Sequence, residues 1–234
     1  MKRIELYGDN VGTVEYVEHM GSDLTVVNSA RVSFGKHKEE LDDKDKKLIR
    51  YLIRHRHTST LEHNVITFRF VVPLFVRSQH HRHRTWAYNE ISRRYTDVDI
   101  RFYEPQTFRT QHKSNRQASN LDQIDPVIIP DLSDTSYGVT ASQCIKDHHK
   151  SSMSLYNTLM ANGVCREQAR GVLPQNLYSE YYGTVNLNNL IKFVELRTHD
   201  GAQWEIQQVA RACLQIAEEY WPETLGAYRE IRSL

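Results

Sequence analysis

Apolar positions recur along this chain with two periods. From Asn64 to Val72, the residues Ile66, Phe68, Phe70 and Val72 alternate with Val65, Thr67, Arg69 and Val71. Period-two patterning rich in β-branched and aromatic residues predicts a strand. Pro73 closes that strand and suits the first turn of a helix, predicted from Leu74 to His81. The clearest helix runs from Ala202 to Tyr220, where Ile206, Val209, Ala210, Cys213, Ile216, Ala217 and Tyr220 form one apolar stripe. Helical spacing of Leu48, Ile49, Leu52 and Ile53 predicts a helix from Asp45 to His55. Another is predicted from Ala141 to Asn162, with Ile145, Met153, Tyr156, Leu159 and Met160 inward and Gly163 as its stop. Leu190, Ile191, Phe193 and Val194 place one from Leu187 to Arg197.

Shorter elements fill the gaps. Ile4–Tyr7 and Val14–Val17 read as strands joined by a Gly8-Asp9-Asn10 turn. Asp23 is expected to cap a helix bearing Leu24, Val27 and Ala30. Lys36 to Lys47 is charged and reads as a loop. Phe102 and Tyr103 begin a strand, Arg166–Val172 is a short helix broken by Pro174, and Asn176–Asn186 is strand-like. Pro222 stops the long helix, leaving Glu223–Ile231 for a final turn or two. Residues 106–140, with Pro126 and Pro130, lack periodicity and read as a long loop insertion. No repeat or linker divides the chain. The expectation is one α+β domain of 234 residues, an antiparallel sheet with helices packed on it.

Composition narrows the class. Hydrophobic content of 39% and charged content of 25% are those of a soluble globular protein. The net charge of +1 gives no global nucleic-acid signature. Cys144, Cys165 and Cys213 are far apart and form no C-x-x-C pair, so neither a zinc ribbon nor a disulfide framework is suggested. No apolar run approaches a membrane span and the N-terminus lacks a signal-peptide core, so a cytoplasmic location is expected, with no membrane partner.

Candidate chemistry concentrates between Arg77 and Arg94. Five arginines and three histidines (His80, His81, His83) stand there with a single carboxylate, Glu90. One reading is a solvated basic face. Another is an anion cradle, because the arginines mix with Trp86 and Tyr88, and the planar guanidinium suits phosphates and carboxylates in two-point contacts. A metallohydrolase using His80, His81, His83 and Asp200 is disfavoured, since no H-E-x-x-H spacing occurs. A nucleic-acid module stacking bases on Trp86 and Tyr88 is disfavoured by the near-neutral charge.

Arg82-His83-Arg84, seven residues, Ser92, and Arg94 two further on resemble the signature of the flavin-dependent thymidylate synthases. Gln79 before it and Asn89-Glu90 within it fit as well. His57-Thr58-Ser59-Thr60-Leu61-Glu62-His63 resembles the family's flavin-contact loop. Arg170-Gly171-Val172-Leu173-Pro174-Gln175-Asn176-Leu177-Tyr178 resembles its arginine-containing turn. Arg197 followed by Ala202-Gln203-Trp204-Glu205 resembles its terminal motif, with Gly201 where a histidine is often found. The likeness covers about residues 15–105 and 160–215.

The resemblance implies reductive methylation of dUMP to dTMP, with methylenetetrahydrofolate as carbon donor, NADPH-reduced FAD as reductant, and tetrahydrofolate released. It implies a homotetramer with FAD at subunit junctions, so no G-x-G-x-x-G is needed or present. Arg197 is implied as the catalytic arginine at the pyrimidine. Gln79, His80, His81, Arg82, Glu90, Ile91, Ser92, Arg93, Arg94 and Arg170 are implied for dUMP. For FAD the implied residues are Ser33, His57, Ser59, Arg82, His83, Arg84, Asn89, Glu90, Asn186, Asn188 and Lys192. Plainer roles stay open beside these: His57 and His63 as solvated or core histidines, Arg170 as a helix C-terminal charge, Asn186 as a helix cap. The resemblance requires no metal, and no cysteine lies beside a base near a site motif, so a thiolate nucleophile is unsupported.

Overall fold

The computed structural model describes residues 2–129 and 138–232. Pro130 and residues 131–137 of the expected insertion lie outside them. The strands are β1 (Arg3–Glu5), β2 (Thr13–Met20), β3 (Val65–Pro73), β4 (Ala87–Glu90), β5 (Phe108–Gln111), β6 (Ser119–Ile124), β7 (Val127–Ile128), β8 (Val139–Thr140) and β9 (Tyr178–Asn186). The helices are α1 (Asp23–Arg31), α2 (Asp43–Arg54), α3 (Leu74–His80), α4 (Ala141–Ala161), α5 (Arg166–Ala169), α6 (Leu187–Arg197), α7 (Trp204–Ala217) and α8 (Pro222–Arg232). The fold is α+β. Its main sheet runs β1-β2-β3-β9-β4, and the β1–β2 and β2–β3 pairs are antiparallel.

The chain forms two compact units. The first holds residues 1–71, 78–89 and 180–234. Its core follows from the period-two and period-3.6 patterns: Ile66, Phe68 and Phe70 of β3 are fully buried, as are Ile206, Val209, Ala210, Cys213, Ile216 and Ala217 of α7. Arg69, on the other face of β3, spans its neighbours, with Nε 2.8 Å from Glu180 of β9 and Nη1 2.9 Å from Glu15 of β2. Helix α6 packs on α7, and α2 on α8.

Asp23 departs from its expected role. Ser22 is the N-cap of α1, while the buried Asp23 carboxylate turns to α8, accepting from the Glu223 and Thr224 N–H groups at 3.0 and 2.9 Å. Helix α8 is eleven residues long rather than a turn or two, because Pro222 opens it and Asp23 satisfies its first free amides. Asn64 is a second buried node. Its side chain accepts from Trp221 Nε1 at 2.9 Å, and its carbonyl accepts the Leu187 N–H at 2.8 Å. Gly21 passes beside it at φ +92°.

The second unit comprises residues 72–77 and 90–179. Tyr156, Ala169, Leu173 and Leu177 form its core, with Phe102, Met153, Leu159 and Met160 against them. Phe102 makes only a single bridge to Leu177, not the strand expected. Residues 106–129 are not the irregular stretch their pattern suggests, since β5 and β6 pair as an antiparallel hairpin. Its side chains are largely solvated, with Leu121 89% exposed, so no buried face imposed a period.

Candidate active site

In the first unit the site gathers where α3 runs into the arginine stretch. Arg197, the last residue of α6, is half-buried and makes two hydrogen bonds. Its Nε donates to His83 Nε2 at 3.0 Å, and its Nη2 donates to the Gln79 carbonyl at 3.2 Å. Both acceptors are neutral. Burial, and then the Arg197 charge, hold the His83 pKa down at about 4. Burial, and then the nearby Arg82, lower that of Arg197. Among the described residues Arg197 has no carboxylate partner and Nη1 no acceptor.

The Gln79 side chain belongs to a second chain of bonds. Its Nε2 donates to Gln203 Oε1. Gln203 Nε2 donates in turn to the buried Glu205 carboxylate at 2.9 Å. Sequence reasoning placed Gln203 and Glu205 in a motif but gave them no task.

The adjacent histidines separate. His80 is wholly buried, its Nδ1 2.9 Å from the Tyr181 hydroxyl and its ring among Phe70, Trp86 and Phe193. Desolvation drives its pKa well below the ordinary imidazole value. His81 stacks on Tyr88 at 4.0 Å. Trp86 is core rather than a surface platform, and Gly183 makes room for it and Phe70: a Cβ there would lie 2.8 Å from the Phe70 ring. Arg82, Arg84 and Asn89 are exposed.

Residues expected at the flavin line two further cavities of this unit. One, of about 560 Å³, is bounded by Arg31, Ser33, Phe34, Tyr51, His57 and Ser59, among others. A smaller one, of about 140 Å³, includes His57, Asn188 and Lys192. Asn188 is almost fully buried and donates to Glu62 at 2.8 Å. Asn186 caps α6, accepting from Asn189 N–H at 2.9 Å.

The second unit holds a cavity of about 580 Å³ lined by Arg77, Glu90, Ile91, Ser92, Arg93, Arg170 and Ser179, among others. Glu90 is fixed there, accepting from Arg77 Nη1 at 3.0 Å and from the Ser179 hydroxyl. Arg93 is partly committed to the loop carbonyl of Val98. Arg170 is exposed and, among the described residues, its guanidinium has no hydrogen-bond or ion-pair partner. Arg94 faces a different cavity with Tyr95 and Arg166. Arg94 and Arg170 therefore line different cavities of the second unit, and Arg82 and Arg197 belong to the first.

A family model described as "Thymidylate synthase complementing protein" matches residues 15–223. The flavin-dependent thymidylate synthase of Thermus thermophilus is 41% identical over 222 residues, 94% of this chain and 76% of that protein. The chain belongs to the flavin-dependent thymidylate synthase family. The Thermotoga neapolitana member of this thymidylate synthase family is 39% identical, over 93% of this chain and 90% of its own. Among solved structures, the UMP/dUMP methylase PolB from Streptomyces cacaoi, bound with 5-Br dUMP, matches with a TM-score of 0.76. It is 33% identical and covers 97% of each chain. The family match spans both units, including the segment from residue 106 to 140 where the sequence resemblance had lapsed. Among the described residues of this thymidylate synthase family member, no helix is long and apolar enough to cross a membrane.

Proposed function

We propose that this protein methylates carbon 5 of dUMP to give dTMP as a homotetramer. Methylenetetrahydrofolate donates the carbon, NADPH is the reductant, FAD is the flavin, and tetrahydrofolate is released. Arg197 carries the reading. A half-buried guanidinium held, among the described residues, only by an imidazole nitrogen and a peptide carbonyl keeps its charge for a ligand that acquires negative charge. A uracil ring does so when it is polarised at nitrogen 3 as carbon 5 becomes nucleophilic. A preorganised donor stabilises that charge without reorganising during the reaction.

Ser92, Arg93 and Arg170 supply the anion-binding side, in the cavity that Glu90 and Arg77 brace. Hydrogen bonds to charged groups contribute roughly 1.5–3 kcal/mol each, so Arg170→Ala weakens dUMP binding about 10- to 100-fold.

The cavities around Ser33, His57, Ser59 and Lys192 fit parts of a flavin dinucleotide, offering aromatic and apolar walls with a few hydroxyl and charged groups. Reduced FAD supplies the electrons that complete the methyl group. Asn186 and Asn188 enter as framework of this site, since one caps α6 and the other is tied to Glu62. The His80 ring, locked in the core, acts on the nucleotide side only by fixing the backbone of α3.

Tritium release from carbon 5 of labelled dUMP, with and without FAD and NADPH, tests the reaction. Release that requires both, and that Arg197→Ala abolishes while flavin stays bound, is expected. Normal release by Arg197→Ala, or a colourless wild-type protein that takes up no FAD, overturns the reading.

A further inference from the structure

We propose that Glu205 is a positioning residue that sets the direction of the Gln79 amide, making Gln79 a hydrogen-bond acceptor for a donor on the bound nucleotide. The inference rests on the nucleotide reading above and deepens it.

A primary amide presents a donor on one side and an acceptor on the other, and by itself has no preferred sense. A carboxylate only accepts. Glu205 is 4% exposed, and its Oε2 takes the Gln203 Nε2 proton at 2.9 Å. That bond forces Gln203 to turn Oε1 the other way. Gln203 Oε1 then accepts from Gln79 Nε2. Gln79 is thereby left with Oε1, which has no partner among the described residues. The same residue anchors Arg197 through its backbone carbonyl. One half-buried glutamine thus carries the site's arginine on its main chain and an oriented lone pair on its side chain.

Arg197 is a pure donor, so the site offers the nucleotide both senses of hydrogen bond. With its phosphate ionised, dUMP carries two donors, the ring N3–H and the 3′-hydroxyl. Gln79 pairs with one of them. Had the relay ended on a lysine instead of Glu205, Gln79 would present its NH₂ and repel both.

The experiment uses flavin-loaded protein and calorimetric titration with three nucleotides: dUMP, its N3-methyl derivative and 2′,3′-dideoxyuridine monophosphate. Glu205→Gln keeps the shape but removes the one-way constraint. Gln203→Met breaks the relay without touching the buried carboxylate, and stands in if the first variant fails to fold. Wild type is expected to bind one of the two analogues about 10-fold more weakly than dUMP. Either variant is expected to lose about that factor for dUMP and to show no further loss with the discriminating analogue, with flavin content unchanged. A purely structural glutamate would not erase discrimination between nucleotides. Unchanged dUMP affinity in both variants, or equal wild-type affinity for all three nucleotides, overturns the relay. Wild-type protein that binds flavin but no dUMP overturns the functional reading itself.

Discussion

Arg197 and His83 are 114 positions apart and joined by a 3.0 Å hydrogen bond from guanidinium Nε to imidazole Nε2. The bond requires the imidazole to accept, hence to be neutral. His83 was expected at the flavin, and in the structure its Nε2 accepts from the arginine. His83→Leu should lower turnover about 10- to 100-fold, the factor for one hydrogen bond to a charged group, with less effect on the nucleotide KM. His83→Gln, whose Oε1 can reach a similar place, should recover most of the rate. Steady-state kinetics on both variants checks this, and equal losses in the two would remove the acceptor role.

Stability should fall as pH drops from about 6.5 to 4. Folding lowers the His83 pKa from 6.5 to about 4 and pushes His80 lower still. Between those values the unfolded chain binds protons that the folded chain refuses, so the stabilising contribution is complete above the unfolded pKa and lost on acidification. The depressed carboxyls of Asp97 and Asp125 act below their ordinary value of 3.8, outside this window. For the half-buried His83 the slope is less than the roughly 1.4 kcal/mol per pH unit of an unscreened group. Urea midpoints at pH 7 and pH 5 report it, and a midpoint that rises toward pH 5 would contradict it.

Asp23→Ala should destabilise the protein by about 2 kcal/mol, the upper end for loss of a helix cap. The carboxylate is buried and serves two amides of α8 plus the Thr224 hydroxyl. Chemical denaturation gives the number. A change under about 0.5 kcal/mol, typical of a bland surface site, would show that α8 does not need this cap.

Gly21→Ala should cost more than about 1 kcal/mol. Gly21 sits at φ +92°, and a Cβ there would fall 2.3 Å from Asn64 Oδ1 and 3.2 Å from its Cα. Relief requires moving the amide that accepts from Trp221 Nε1. A red-shifted tryptophan emission should accompany the lower midpoint, and an unshifted midpoint would mean that the backbone relaxes freely.

Much of the fold was legible because long elements bury one face. Helix α7 and strand β3 print their periods on the sequence, and the residues of their stripes, Tyr220 excepted, are buried. Strand β4 is four residues long and mostly exposed, so nothing alternates. The β5–β6 hairpin is missed for the same reason. Asp23 misled because its partners lie 200 residues on, and local capping rules see only neighbours. At the site, the family resemblance pointed to Arg197, Arg170 and Gln79. They did not show that His80, one position from Gln79, belongs to the core, because adjacent helical residues face different ways. Gln203 and Glu205 were visible as a motif, but their task emerges only when α7 is laid beside Gln79.

The anchor that Gln79 offers Arg197 is a main-chain oxygen. No exchange of side chain at position 79 deletes it. Over evolutionary time this position can therefore retune which nucleotide is welcomed, through its amide, while the arginine keeps its perch. Specificity and catalytic geometry are stacked on one residue yet remain separately heritable.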